Sequence, residues 1–342
     1  MIILPDLKDQ YQTVFDFGCS ITNYRWVTWS DLIAKGVGAT KFIKTSQPGA
    51  GLRYIYQQLK YVSQNYKFTD SDLVLICLPT LDRKDVCLNS DYTLHNMGSW
   101  SCQGSIDFSP QSSPATCMSQ GHHGEPRIGI FDMFMDNLCY LELILKMFRD
   151  LPCDKIVIHT DPWQYDPVKY LETNYHYINH IADYNKHSRY QLIDLCQRLR
   201  HQYSDTLDII PTIIHYEEFF TRIRAEKDPT GELEFIDLDP HPSPDLAYEF
   251  VKKYFLNNRQ TDLIDSDFPV ISDNYRTMVA KTMASSDPHS AHQKTCESWT
   301  STQLDHYLNS SWLFATPEQR QQLMTGEVCK TLDWPAERIE DK

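Results

Sequence analysis

The sequence predicts a three-layer α/β/α domain on a doubly wound parallel sheet of about five strands, followed by a C-terminal helical extension. Strand-like runs alternate with helical stripes from residue 13 onward. Asp72 to Leu78 is almost continuously apolar, as a central parallel strand covered on both faces requires. Strand signals stop after about residue 260, where helix starts take over. A length of 342 residues suits one large α/β domain with an extension, or two unequal domains. The division adopted is 1–260, with an insertion at about 86–127, and 261–342.

Thr13 to Phe17 is a β-branched and aromatic run ending at Gly18, after which Trp29, Leu32 and Ile33 recur at helical spacing. Lys41 to Thr45 reads as a second strand, and Leu52, Ile55, Leu59 and Val62 form the stripe of a helix that starts just after Gly49 and Gly51. The third strand, Asp72 to Leu78, is stopped by Pro79. The segment from about Val86 to Arg127 has little periodicity and clusters Ser, Gly, Pro, Gln and His within 99–124, so it is expected to be a disordered excursion or a functional loop. Gly129 to Arg149 is helical, Lys155 to His159 is a fourth strand, and Leu192, Leu195, Cys196 and Leu199 mark another helix. Leu207 to Ile214 reads as a fifth strand, Asp237 to Pro244 as a loop, and Leu246, Phe250 and Tyr254 as the helix behind it. In the extension, Thr300 with Gln303 and Thr316 with Gln319 have capping-box spacing. Trp299, Trp312 and Trp334 are expected to pack onto the main domain, the alternative being a surface for a partner or a second copy of the chain.

Composition excludes several classes of function. With 32 basic against 46 acidic residues the formal charge is -14, and no basic run offers a footprint for a phosphate backbone, so nucleic acid is not expected as a partner. The longest clean apolar stretch, Leu73 to Leu78, falls far short of the roughly 20 residues of a membrane-spanning helix. Met1 to Asp16 carries acidic residues where an export signal is basic, and it lacks a continuous apolar core. Ten scattered cysteines without a C-x-x-C pair fit free thiols in a reducing compartment, and a cytoplasmic location is expected. His176 and His180 stand one helical turn apart, but no motif positions a third ligand, so no metal site is assigned.

In a doubly wound sheet, ligands bind beyond the carboxyl ends of the strands. After the first strand stands Gly18-Cys19-Ser20-Ile21-Thr22, a serine at a glycine turn between strand and helix. Near the end of the sheet stands Asp237-Leu238-Asp239-Pro240-His241-Pro242-Ser243. A nucleophilic serine needs an imidazole to take its proton and a carboxylate to hold that imidazole in the right tautomer. Asp239 and His241 are able to supply both from one loop, about 220 residues downstream of Ser20.

These residues resemble the SGNH (GDSL-like) hydrolase family. Phe15-Asp16-Phe17-Gly18-Cys19-Ser20-Ile21-Thr22, with Trp29-Ser30-Asp31-Leu32-Ile33-Ala34 behind it, is similar to the family's first block in the G-C-S form often seen in bacterial and phage-encoded members. Pro48-Gly49-Ala50-Gly51 resembles the second block, and Asp239-Pro240-His241-Pro242-Ser243 the fifth. The resemblance spans about residues 12–258 and implies a flavodoxin-like fold with no cofactor. It implies that Ser20 is the nucleophile, His241 the base and Asp239 its orienting carboxylate, with Asp237 the fallback. The oxyanion hole would then be formed by the backbone N–H groups of Ser20 and Gly49.

The sequence departs from the family pattern twice. The third block usually carries an asparagine that completes the oxyanion hole, whereas Leu78-Pro79-Thr80-Leu81-Asp82-Arg83 has none, so that Thr80 or Arg83 substitutes, another loop donates, or activity is low. The acid is usually three residues before the histidine, where Leu238 stands here. The insertion leaves from the end of the third strand, so Trp100, His122 and His123, together with Trp163, are candidates for contacting a sugar, as is Arg83. The function expected is a serine esterase acting on a small acyl ester, in first place a carbohydrate O-acetyl ester. The alternatives are a transferase using the same triad and a non-catalytic glycan-binding or structural module. Nucleotide binding is disfavoured, since neither G-x-G-x-x-G nor G-x-x-x-x-G-K-[ST] follows the first strand, and no G-x-S-x-G elbow is present.

Overall fold

A computed structural model of the chain describes residues 7–24, 26–47, 49–79, 81, 84–87, 94–97, 130–159, 194–199, 201–203, 241–297, 314 and 318–319. The elements in chain order are β1 (Thr13–Phe17), α1 (Trp29–Gly36), β2 (Lys41–Lys44), α2 (Leu52–Asn65), β3 (Asp72–Leu78), β4 (Lys84–Cys87), β5 (Leu94–Met97), α3 (Ile130–Asp150), β6 (Asp154–His159), α4 (Pro244–Tyr254), α5 (Asn258–Asp265), α6 (Phe268–Met283) and α7 (Pro288–Glu297).

Four of the strands form a parallel sheet in the order β2-β1-β3-β6, with Phe15 level with Ile43 on one side and Val74 on the other. Every residue of β1 and β3 is buried, because helices cover both faces of the sheet. Alternate side chains divide between those two layers. Val14, Leu73, Leu75, Cys77, Ile156 and Ile158 pack with α1 and α4, whereas Phe15, Phe17, Val74, Ile76, Leu78 and Val157 pack with α2 and α3. The stripe Leu52, Ile55, Leu59 and Val62 is the buried face of α2, as its spacing predicts.

The chain runs from β1 out to the edge strand β2 and then crosses back over β1 to β3. The reversal makes the carboxyl ends of β1 and β3 the topological switch point, the place where ligands bind in open sheets of this kind.

The segment from Val86 onward departs from expectation. Lys84–Cys87 and Leu94–Met97 pair as an antiparallel two-stranded sheet, Lys84 opposite Met97 and Cys87 opposite Leu94. Four-residue strands such as K-D-V-C and L-H-N-M are too short to display alternation, so their pairing is invisible without the partner. The expected fifth strand, 207–214, and residues 88–93 and 98–127 of the insertion lie outside the described residues.

The extension is helical where it is described, and α5 and α6 pack back onto the main domain. Ile264, Phe268 and Ile271 join the cluster formed by β1, β3, α1 and α4. Asn257 and Gln260 form a reciprocal capping box at the start of α5, and Gln260 Nε2 also donates to the carbonyls of Leu7 and Lys8. Trp299, Trp312 and Trp334, and the caps at 300, 303 and 316, lie outside the described residues. Among the described residues no helix is long and apolar enough to cross a membrane.

Candidate functional site

β1 ends at Phe17, and after Gly18 the backbone turns at once: the N–H groups of Thr22 and Asn23 both donate to the Cys19 carbonyl, at 2.9 and 3.0 Å. Ser20 is the first residue inside that turn and is 6% exposed. Gly18 is required by close approach, since a Cβ there would lie 3.0 Å from Cys77 Cβ and would strike the Thr22 side chain.

A buried polar network holds the turn from below. Asp16, within β1, accepts at Oδ1 from Thr45 N (3.0 Å), Ser46 N (3.2 Å) and Ser46 Oγ (2.7 Å), and at Oδ2 from Ser30 Oγ (3.1 Å). Thr28 Oγ1 and Ser30 Oγ reach the Thr22 carbonyl at 2.6 and 3.0 Å. Asp31 accepts from the backbone and hydroxyl of Thr28 through Oδ2 and pairs with Lys44 through Oδ1 at 2.8 Å. The start of α1 and the end of β2 are thereby locked to the Ser20 turn.

The loop after β2 docks on the same turn. Gln47 N donates to Gly18 O at 3.1 Å, and Asn23 Nδ2 donates to Ser46 O at 2.8 Å. Gly49 lies in the 47–50 turn at φ 82°, a left-handed conformation that disfavours any side chain. Just beyond it, the buried Asp85 carboxylate of β4 accepts from Gly51 N at 2.9 Å and Tyr54 N at 2.8 Å, occupying donors at the start of α2. The hairpin is thus anchored beside the second candidate loop. Tyr54 donates to Thr45 O, and burial, with the charges of Asp16 and Asp85, pushes its hydroxyl up to about 12.

His241 reaches this region from more than 200 residues further along the chain. Its ring stacks on Tyr24, four residues after Ser20, with centroids 3.7 Å apart and planes 15° from parallel. Tyr24 in turn meets the edge of Trp26 at 4.6 Å and 78°. Trp26 is 1% exposed, donates from Nε1 to the Pro242 carbonyl, and meets Tyr275 of α6 edge-on at 5.1 Å. Ser243 caps α4 by accepting from Leu246 N, and Asp245 accepts from Ser272 Oγ at 2.7 and 2.9 Å and from Arg276 at 3.3 Å. The helical extension therefore braces both the His241 loop and the helix that follows it.

Three of the residues named from sequence, Ser20, Gly49 and His241, thus stand in loops joined by direct contacts. Asp239, Asp237, Thr80, Arg83, Trp100, His122, His123 and Trp163 lie outside the described residues, as do His176 and His180. No group of three or more potential metal ligands occurs among the described residues. Sequence reasoning passed over Asp16, Asp85, Tyr24 and Trp26. The signal for Asp16 was legible: an acidic residue inside a buried strand must be hydrogen-bonded to persist.

Burial raises the Asp16 carboxyl above its ordinary value of 3.8, outweighing the Lys44 charge and the Ser46 hydrogen bonds, which act the other way. Its proton binds more tightly in the folded state, so that contribution to stability is complete below pH 3.8 and is lost as pH rises through the folded-state value. Asp16→Asn keeps an acceptor at Oδ1 and gains a donor toward Ser30 Oγ, which frees the Ser30 proton for the Thr22 carbonyl. The expected result is a flatter stability–pH curve above pH 3.8 and a variant more stable than the native chain at neutral pH, checked by urea titration across pH. An unchanged slope would show that Asp16 does not govern this range.

Comparison with protein-family models gives no match, and comparison with curated proteins gives none either.

Proposed function

We propose that the chain is a serine hydrolase of SGNH type that cleaves a small acyl ester, in first place a carbohydrate O-acetyl ester. The observation that carries this reading is the stack of His241 on Tyr24, four residues after Ser20 in the segment that follows β1. In the reaction Ser20 Oγ attacks the ester carbonyl while His241 takes its proton, and Asp239 holds the imidazole and stabilises its charged form. The backbone N–H groups of Ser20 and Gly49, with Thr80 or Arg83, receive the oxyanion. His241 then protonates the departing alkoxide, and a water deprotonated by His241 releases the acid and restores Ser20.

Supporting context comes from the strand order β2-β1-β3-β6, which agrees with the first four places of a flavodoxin-like sheet. On this reading residues 207–214 supply the fifth strand. Cys139, Cys153 and Cys196 are free thiols, which favours a reducing, cytoplasmic setting.

The test is incubation of the full chain with a fluorophosphonate probe, followed by peptide mapping. A single adduct on Ser20 is expected. A folded chain that gains no adduct would overturn the reading and favour a glycan-binding module, to be sought on carbohydrate arrays.

A further inference from the structure

We infer that Tyr24 is the positioning residue of His241, and that the C-terminal extension enters the candidate site by holding Tyr24 in place. This inference rests on the proposed hydrolase reading. A general base works only if its ring nitrogen is presented to the nucleophile, yet the terminal torsion of a histidine is broad and its well shallow. The Tyr24 ring, parallel to the imidazole within 15° at 3.7 Å, confines His241 to one plane. Tyr24 is suited to this because its own place is set from two directions. On one side its segment begins with the Ser20 turn, closed by Asn23 N on Cys19 O and tied to the β2 loop by Asn23 Nδ2 on Ser46 O. On the other it abuts Trp26, which is wedged against Tyr275 of α6 and bonded to the Pro242 carbonyl, next to His241 itself. The stack thus carries the position of the serine turn to the base, and α6 completes the frame. Tyr24 takes no proton in the reaction. It acts through His241.

Two readouts test this on the full-length chain. In proton–carbon NMR spectra of the histidine rings, the His241 signals, assigned by their loss in His241→Gln, are expected upfield of the other histidines, because they lie over the Tyr24 ring. They should move to the ordinary range in Tyr24→Leu and stay upfield in Tyr24→Phe. In parallel, the fluorophosphonate adduct on Ser20 should form about 100-fold more slowly in Tyr24→Leu, the scale expected when a reacting group is misplaced by about an ångström. Tyr24→Phe should restore the native rate, since the ring and not the hydroxyl does the positioning. Native-rate labelling in Tyr24→Leu, or a phenylalanine variant as slow as the leucine one, overturns the inference and leaves the hydrolase reading intact. Ordinary His241 shifts in the native chain overturn it without recourse to any variant. A native chain with no Ser20 adduct overturns the hydrolase reading and this inference with it.

Discussion

Ser20→Ala is expected to lower turnover of a p-nitrophenyl ester by on the order of 10⁶-fold, His241→Ala by about as much, and the double variant by no more than either alone. The serine hydroxyl is a weak nucleophile until its proton has somewhere to go, and the imidazole has nothing to activate once the hydroxyl is absent. On the proposed reading the two groups act as one unit, and their losses are expected not to multiply. Asp239→Ala should cost less, about 10⁴-fold, because an imidazole in the wrong tautomer still turns over part of the time. Burst and steady-state measurements with a chromogenic ester decide the matter. Losses at Ser20 and His241 that multiply would mean that the two side chains act independently, and the triad would be abandoned.

The second large effect is on stability. Trp26→Ala should destabilise the fold by about 3–5 kcal/mol, read as a lower urea midpoint. Trp26 is 1% exposed and lies in a cluster with Tyr275, Met278 and Val279, with Tyr24 and Met283 at its margin. Truncation leaves a cavity between the serine segment and α6, and it removes the donor to the Pro242 carbonyl. Trp26→Phe fills most of the cavity and loses the donor alone, so it should cost less, with about 0.5–1.5 kcal/mol from the lost hydrogen bond to the part-buried carbonyl. A Trp26→Ala chain as stable as the native one would show that α6 does not brace the serine segment.

How far the fold was legible depended on how local its causes are. β1 and β3 were readable to the residue, because strands buried on both faces are rich in apolar, aromatic and β-branched residues and these runs are bounded by Gly18 and Pro79. The stripe of α2 was equally plain. The hairpin of Lys84–Cys87 and Leu94–Met97 escaped notice because its strands are too short to carry a period. Ser20, Gly49 and His241 were chosen from short motifs, each at a turn that its own sequence predicts.

Residue types and spacing alone settled the alternation of strand and helix, the placing of the serine turn and the helix start behind His241. Those features follow from backbone preference and from which side chains must leave water. Contacts across the chain decided the rest. The sheet order β2-β1-β3-β6, the four bonds to Asp16, the grip of Asp85 on α2 and the stack of Tyr24 on His241 each join residues far apart in sequence. Burial makes those polar groups find partners, and which partners they find depends on packing, which no local pattern records.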